Sequence, residues 1–374
     1  MKMKKRPNLS LNSGVVEEFK QDSQSYQINS NKSLQFRAFL FNEAGMYTKD
    51  GRELPTTVKK ENIDYSTKRN VGAGASGDVY FARLKGGTPI AMKRIPISSK
   101  SHRDEVDREL QFFSARCDSP YVMNNYGAFW DAEDDAIVIP MEWMPYTVKD
   151  LDQFWGGLNE TLLKAVFFQV ISGLVYLHDV KRVLHRDLKP SNLLISEDGH
   201  VKIADFGVSK LIQTLAVSST YVGTMCYMAP ERLEQGIYGL SSDVWSVGLT
   251  MISAVTGKNP WAPPEEMNLF QLLAKMKQGS TPTLPESGNF SDSAKDFVKQ
   301  CLKRDPDARP TCAELLKHPF FAGMTESTSQ AMVRMAVEQM TRLINNNAQK
   351  QEELARSQES MEKDVNAQLD KLIS

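Results

Sequence analysis

The pattern of apolar and polar positions changes period along the chain. From Tyr65 to about Ile139, short β-branched runs are broken by Gly and Asp, with one charged helical stretch near Glu105 to Phe113; this predicts a small, mainly β part. After Met141-Glu142-Trp143-Met144 the period becomes helical. Leu162 to His178 carries apolar residues at three- and four-residue steps, and Val244 to Val255 is apolar nearly all round, as a helix buried in a larger, mainly α part would be. The expected fold class is α+β with two lobes.

The ends of the chain read differently. Residues 1–63 are rich in Asn, Ser, Gln and Lys, with one apolar cluster at Phe36, Phe39, Leu40 and Phe41; they predict a flexible tail with a short extended patch able to dock on the small β part. Residues 64–321 form the central domain. Residues 322–374 predict an amphipathic helical extension in two segments, with a stripe of Met332, Ala336, Met340 and Leu343, a break at Asn345-Asn346-Asn347, and a second stripe of Met361, Val365, Leu369 and Leu372. Such stripes either pack on their own domain or join a partner coiled coil.

Composition narrows the function classes. A formal net charge of −1 without a broad basic stripe argues against a nucleic-acid binder. Cys117, Cys226, Cys301 and Cys312 form no C-x-x-C pair and no zinc-spaced cluster, so they read as reduced thiols, pointing to the cytoplasm, with the nucleus as a second compartment. The apolar run near Val247 to Val255 is far short of the ~20 residues that a membrane span needs. The basic start Met1 to Arg6 leads into Pro7-Asn8 without an apolar stretch, which argues against a secretory signal.

Candidate chemistry gathers at His185-Arg186-Asp187-Leu188-Lys189-Pro190-Ser191-Asn192 and Asp205-Phe206-Gly207. In-line phosphoryl transfer needs a carboxylate to accept or orient the attacking hydroxyl, and a carboxylate with an amide to hold Mg²⁺ against nucleotide phosphates; Asp187, Asp205 and Asn192 supply those parts. Upstream, Val71-Gly72-Ala73-Gly74-Ala75-Ser76-Gly77-Asp78-Val79 fits G-x-G-x-x-G-x-V, whose glycines let backbone amides fold closely over phosphates. That pattern alone fits a glycine turn or a dinucleotide-binding domain equally well. The strand-like Val79-Tyr80-Phe81-Ala82 that follows, where a dinucleotide fold would open a helix, separates them.

In this order the motifs resemble the protein kinase family. The resemblance implies ATP and Mg²⁺ as cofactors, Asp187 as catalytic base, and Lys189 as the lysine that neutralises charge on the transferring phosphate. It implies Asn192 and Asp205 as metal ligands, and Lys93, in Ile90-Ala91-Met92-Lys93, as the lysine on the α- and β-phosphates, paired with Glu109. Met141 matches the gatekeeper, backbone groups of Glu142 and Met144 the adenine contacts, and Val71, Val79, Ala91 and Leu194 the apolar residues around the ring. His185 matches a structural residue. Glu231 of Ala229-Pro230-Glu231 and Arg309 resemble the pair that closes the activation segment onto the larger lobe.

Within that family the chain resembles the MAP kinase kinases, on Ser119-Pro120-Tyr121-Val122, Tyr126-Gly127-Ala128-Phe129, Asp205 to Ser209, and Val222-Gly223-Thr224 through Tyr227 to Arg232. Lys4-Lys5-Arg6 followed by Leu9-Ser10-Leu11 resembles their MAP kinase docking element, cations meeting an acidic surface and two leucines entering apolar slots. In the activation segment Thr220 takes the distal activating position. Ala216 stands where animal members carry the proximal hydroxyl, whereas Thr214 fits the S/T-x5-S/T spacing of plant-type and some protist members; Thr214 with Ser218, or Ser219 as a further alternate, is the shifted register. The resemblance implies a dual-specificity kinase acting on the T-x-Y loop of a downstream MAP kinase and activated by an upstream MAP kinase kinase kinase. The alternatives are a serine/threonine kinase of another cascade tier, and a pseudokinase scaffold. The scaffold predicts loss of Lys93, Asp187, Asn192 or Asp205, and all four are present.

Overall fold

A computed structural model describes residues 26–29, 33–36, 39–74, 77–97, 118–205, 225–233, 239–261 and 269–373. They fall into two compact units, one within Met1–His102 and Asn125–Met141, the other within Arg103–Asn124 and Glu142–Ser374.

The first unit begins where a tail was expected. Strands β1 (Tyr26–Ile28), β2 (Leu34–Phe36), β3 (Phe39–Asn42) and β4 (Gly45–Thr48) form an antiparallel four-stranded sheet in sequential order. The flexible-tail expectation is therefore corrected for this stretch. Its polar average hides an apolar face: Leu34, Phe36, Phe41 and Met46 are buried, which anchors the described strands. Polar contacts add to it. Lys60 reaches Glu43 at 3.0 Å and Asp131 at 3.0 Å, and the N–H groups of Thr57 and Val58 donate to the Tyr126 carbonyl at 2.8 and 3.0 Å.

The second sheet of this unit is the one the β-branched runs predicted. Strands β5 (Ile63–Gly74), β6 (Gly77–Leu84), β7 (Pro89–Pro96), β8 (Phe129–Asp131) and β9 (Ala136–Glu142) lie in the order β5-β6-β7-β9-β8. Ile63, Ala82, Ile90, Met92, Phe129 and Val138 share its core with Val58. The helix expected near Glu105 to Phe113 lies outside the described residues.

In the second unit a small sheet, β10 (Tyr146–Thr147), β11 (Leu193–Ile195) and β12 (Val201–Ile203), is set among helices α1 (Val148–Trp155), α2 (Glu160–Val175), α3 (Ser241–Thr256), α4 (Leu269–Gln278), α5 (Asp292–Cys301) and α6 (Glu326–Ile373). Thr147 caps α1 through a reciprocal bond with Asp150, and the Asn159 side chain accepts the Leu162 N–H at 2.9 Å to start α2. With its π-helical continuation Tyr176–Lys181, α2 is long and apolar enough to cross a membrane by composition. It is the core helix of this unit, with Leu163, Val166, Phe167, Val170, Ile171 and Leu174 all buried. Residues Ser242 to Ala254 of α3 are buried without interruption, as the all-round apolar pattern predicted. Cys226, Cys301 and Cys312 are buried and form no disulfide among the described residues; Cys117 lies outside them.

The C-terminal extension departs from expectation twice. It is one continuous helix of 48 residues, so Asn345-Asn346-Asn347 is no break; asparagine costs under ~0.7 kcal/mol per helical position, unlike proline. The buried face is Ser329, Val333, Val337 and Met340, while Met332 and Leu343 of the expected stripe are 36% and 40% exposed. The stripe is displaced because α6 rides over the β11–β12 turn. Gly199 (φ +89°) sits beneath it, and a Cβ there would clash with the Gln330 carbonyl. Gln330 donates to the Asp198 carbonyl at 3.2 Å, and the Tyr146 and Thr341 hydroxyls meet at 2.7 Å. The side chains of the second stripe lie outside the described ones.

Candidate active site

The loop His185 to Asn192 hangs on one buried carboxylate. Asp243, in the first turn of α3, accepts the backbone N–H of His185 at Oδ2 and of Arg186 at Oδ1, each at 2.8 Å, and its Oδ2 is 2.8 Å from His178 Nε2. Burial pushes the Asp243 carboxyl up, but the hydrogen bonds it takes from His178 and from the Arg186 amide outweigh it and hold the group below its ordinary value. Arg186 takes the left-handed conformation (φ +73°), and its carbonyl accepts Arg232 Nη1 at 2.6 Å. His185 is buried: its Nδ1 accepts the Asp187 N–H at 3.3 Å, so the proton sits on Nε2, which donates to the Ala204 carbonyl at 2.9 Å. Asp243 was not among the residues the sequence singled out. The available signal was an acid opening an otherwise apolar helix.

Around Asp187 the expected residues come together. Its Oδ2 accepts Lys189 Nζ at 2.9 Å and Asn192 Nδ2 at 3.0 Å, and Asn192 Nδ2 also reaches the Asp187 carbonyl at 2.8 Å. Oδ1 of Asp187 is buried and has no hydrogen-bond partner among the described residues. The Asn192 carbonyl accepts the Ala204 N–H at 2.9 Å, so Asn192 is tied to the residue before Asp205, which is itself left-handed (φ +60°). With its amide nitrogen committed, Asn192 presents an oxygen. An amide oxygen and a carboxylate suit a hard divalent cation that takes its remaining ligands from phosphates and water. No cluster of three His, Cys, Asp or Glu side chains suited to a metal occurs among the described residues.

The residues expected at the nucleotide belong to both units. In the first, β5 carries Val71, Gly72, Ala73 and Gly74, and β6 carries Gly77 and Val79. Gly77 (φ +106°) is required by the backbone, since a Cβ would clash with the Arg94 carbonyl. Val79 pairs with Lys93 across β6 and β7; Lys93 and Ala91 are buried, Met141 is half-buried, and Val71 is 43% exposed. In the second unit Met144 is buried and Leu194 half-buried. The Glu142 side chain takes both oxygens to Lys202 Nζ at 2.8 Å and accepts the Asn124 N–H at 2.9 Å, fixing this residue in a way the sequence did not announce. Ala75, Ser76, Glu109, Thr214, Ser218, Ser219, Thr220, and the docking residues Lys4, Lys5, Arg6, Leu9 and Leu11 lie outside the described residues.

The chain matches the family model for the protein kinase domain over residues 65–321. Mitogen-activated protein kinase kinase 2 of Arabidopsis thaliana is 38% identical over 266 residues, 69% of this chain and 72% of that protein. Mitogen-activated protein kinase kinase SIPKK of Nicotiana tabacum is 37% identical over 282 residues, 72% of this chain and 78% of that protein. Mitogen-activated protein kinase kinase 5 of Leishmania mexicana is 36% identical over 270 residues, 70% of this chain and 50% of that protein. The chain belongs to the MAP kinase kinase family of protein kinases. Its fold is the two-lobed kinase fold, and the enzyme uses ATP with a divalent metal ion.

One further contact of this kinase was legible in sequence. Glu231 and Arg309 form a paired contact, Nη1 to Oε1 at 2.6 Å and Nη2 to Oε2 at 2.8 Å, with the Arg309 side chain wholly buried.

Proposed function

We propose that this kinase transfers the γ-phosphoryl group of Mg-ATP to both the threonine and the tyrosine of a T-x-Y loop in a MAP kinase. An upstream MAP kinase kinase kinase switches it on by phosphorylating Thr214 and Thr220. The observation that carries the chemical part is the asymmetry of Asp187: Oδ2 is held by Lys189 and Asn192, and the partnerless Oδ1 is the acceptor a substrate hydroxyl needs. The hydroxyl donates to Asp187, whose carboxylate takes the proton as the substrate oxygen bonds to the γ-phosphorus and the bond from that phosphorus to the β–γ bridging oxygen breaks, releasing ADP. Lys189 stays beside it to balance charge on the transferred group. Asn192 and Asp205 would hold Mg²⁺, which when bound neutralises phosphate charge. Lys93, paired with Glu109, would hold the α- and β-phosphates under the amides of the Gly72–Gly77 hairpin. The adenine would lie among Val71, Val79, Ala91 and Leu194, against backbone groups of Glu142 and Met144 and beside Met141.

Incubation with Mg-ATP and a catalytically inactive MAP kinase, followed by phosphosite mapping, tests this reading. Phosphate is expected on both residues of the T-x-Y loop, and phosphate on threonine alone would favour a serine/threonine kinase. Asp187→Asn should keep the fold and lower turnover by roughly 10²–10⁴-fold, the range of a lost general base. Thr214→Ala and Thr220→Ala should each lower activation by the upstream kinase, whereas full activation of Thr214→Ala with phosphate confined to Ser218 or Ser219 would overturn this assignment.

A further inference from the structure

A relay of three buried side chains ends on the loop from His185 to Asn192. His178 lies in the π-helical continuation of α2, Tyr176–Lys181, and is 4% exposed. Its Nε2 is 2.8 Å from Asp243 Oδ2, and its Nδ1 is 3.5 Å from Cys312 Sγ. Cys312 opens the short helix Cys312–Leu315, whose first turn is fixed by a reciprocal bond between Thr311 and Glu314. Thiol, imidazole and carboxylate in this order are the parts of a cysteine nucleophile with its base. Burial excludes that role. Cys312 is 2% exposed, and burial first, then Asp243, Cys301 and Asp179, pushes its thiol well up, so the sulfur keeps its proton.

A thiol that keeps its proton is a donor. Asp243 accepts the N–H groups of His185 and Arg186 and stays a carboxylate, so the proton between it and His178 sits on Nε2. A neutral ring then presents a bare Nδ1, and the Cys312 S–H meets it. Sulfur is a weak acceptor, which suits this arrangement better than an imidazolium N–H, and burial disfavours a charged ring. With Nδ1 capped, the ring neither moves its proton to the other nitrogen nor takes up a second one. Asp243 therefore keeps its donor, and the two loop amides keep their acceptor. Asp187 follows Arg186 directly, so this alignment sets where the Asp187 carboxylate stands; a misplacement of about 1 Å can cost roughly 10²-fold in rate.

We propose that Cys312 is a positioning residue for phosphoryl transfer: its thiol holds His178 in the neutral Nε2–H tautomer, and His178, through Asp243, fixes the loop that carries Asp187. The inference rests on the reading of Asp187 as acceptor of the substrate proton. Cys312 itself touches neither reactant, so its loss acts on turnover and not on binding.

Two readouts on the full chain test it. Nitrogen-15 NMR of histidine-labelled protein, with the His178 signals assigned from their loss in His178→Gln, should show the wild-type ring protonated on Nε2 alone. In Cys312→Ala those signals should shift to the other tautomer or to the imidazolium. With an inactive MAP kinase as substrate, kcat of Cys312→Ala should fall about tenfold, the order of one buried acceptor left without a partner, with both KM values within about twofold of wild type. Cys312→Ser, which keeps a donor, should restore most of the loss. In a His178→Gln background Cys312→Ala should lower kcat no further, as expected of residues acting in series. A wild-type ring protonated on Nδ1, or on both nitrogens, overturns the assignment. So does wild-type turnover in Cys312→Ala, an effect confined to KM, or a full further loss in the His178→Gln background. If Cys312→Ala does not fold, Cys312→Val, which fills the space of the sulfur without a donor, replaces it, and the wild-type spectrum still decides the tautomer. Full turnover in Asp187→Asn would sink the reading of Asp187, whereas the tautomer and its dependence on Cys312 are read without it.

Discussion

Arg309 uses every N–H donor it has. Nε donates to the Lys303 carbonyl at 2.7 Å, Nη1 to Glu231 and to the Ser241 carbonyl at 3.1 Å, and Nη2 to Glu231 and to the Arg304 carbonyl at 3.1 Å, with the guanidinium 5.0 Å from the Trp245 ring centre. Burial pushes the Glu231 carboxyl up, but the hydrogen bonds and charge of Arg309 outweigh it and hold the group below its ordinary value. A lowered carboxyl contributes stability above its unfolded-state pKa and loses it as pH falls through the folded one. Arg309→Ala should therefore cost about 3–5 kcal/mol in denaturant unfolding near neutral pH, the usual cost of leaving one member of a buried pair alone. The deficit should shrink as the solution is acidified through the carboxylate range. This pair was readable in advance because its motif is local at one end. Asp243 was not singled out, because its one signal, an acid opening an otherwise apolar helix, does not say which distant backbone groups it will hold.

At the scale of elements, the periods of α2 and α3 were legible and the faces of the terminal segments were not. In α6 the apolar residues wrap far enough around the helix for more than one stripe to be drawn, and the choice fell to the small Gly199 turn beneath it. Met340→Ala should destabilise the protein by about 2–5 kcal/mol. Met332→Ala, one face over, should stay within about 0.5 kcal/mol. Gly199→Val should loosen α6 as well, since both its φ and its contact with the Gln330 backbone exclude a side chain. Equilibrium unfolding monitored by helical circular dichroism separates the three; equal losses for Met340→Ala and Met332→Ala would contradict the observed face.

For the whole molecule, a net charge of −1 gives no strong overall field, so docking through Lys4-Lys5-Arg6, as the resemblance implies, would rest on local charge. Replacing these three with glutamate should weaken MAP kinase binding moderately, since exposed pairs contribute about 0–1 kcal/mol each, and the wild-type complex should weaken with added salt. Leu9→Ala with Leu11→Ala should weaken it with less salt sensitivity, as titration calorimetry at two ionic strengths would resolve. Family, fold class and the grouping of Asp187, Lys189 and Asn192 were all present in the sequence, because these three residues lie within one short loop. The tertiary structure alone decided that Tyr26–Ile28, Leu34–Phe36, Phe39–Asn42 and Gly45–Thr48 form a sheet, that Glu142 is tied to Lys202, and that Asp243 carries the loop from His185 to Asn192. Each depends on groups that are distant in sequence and meet only when burial removes them from water, a condition that residue order does not express.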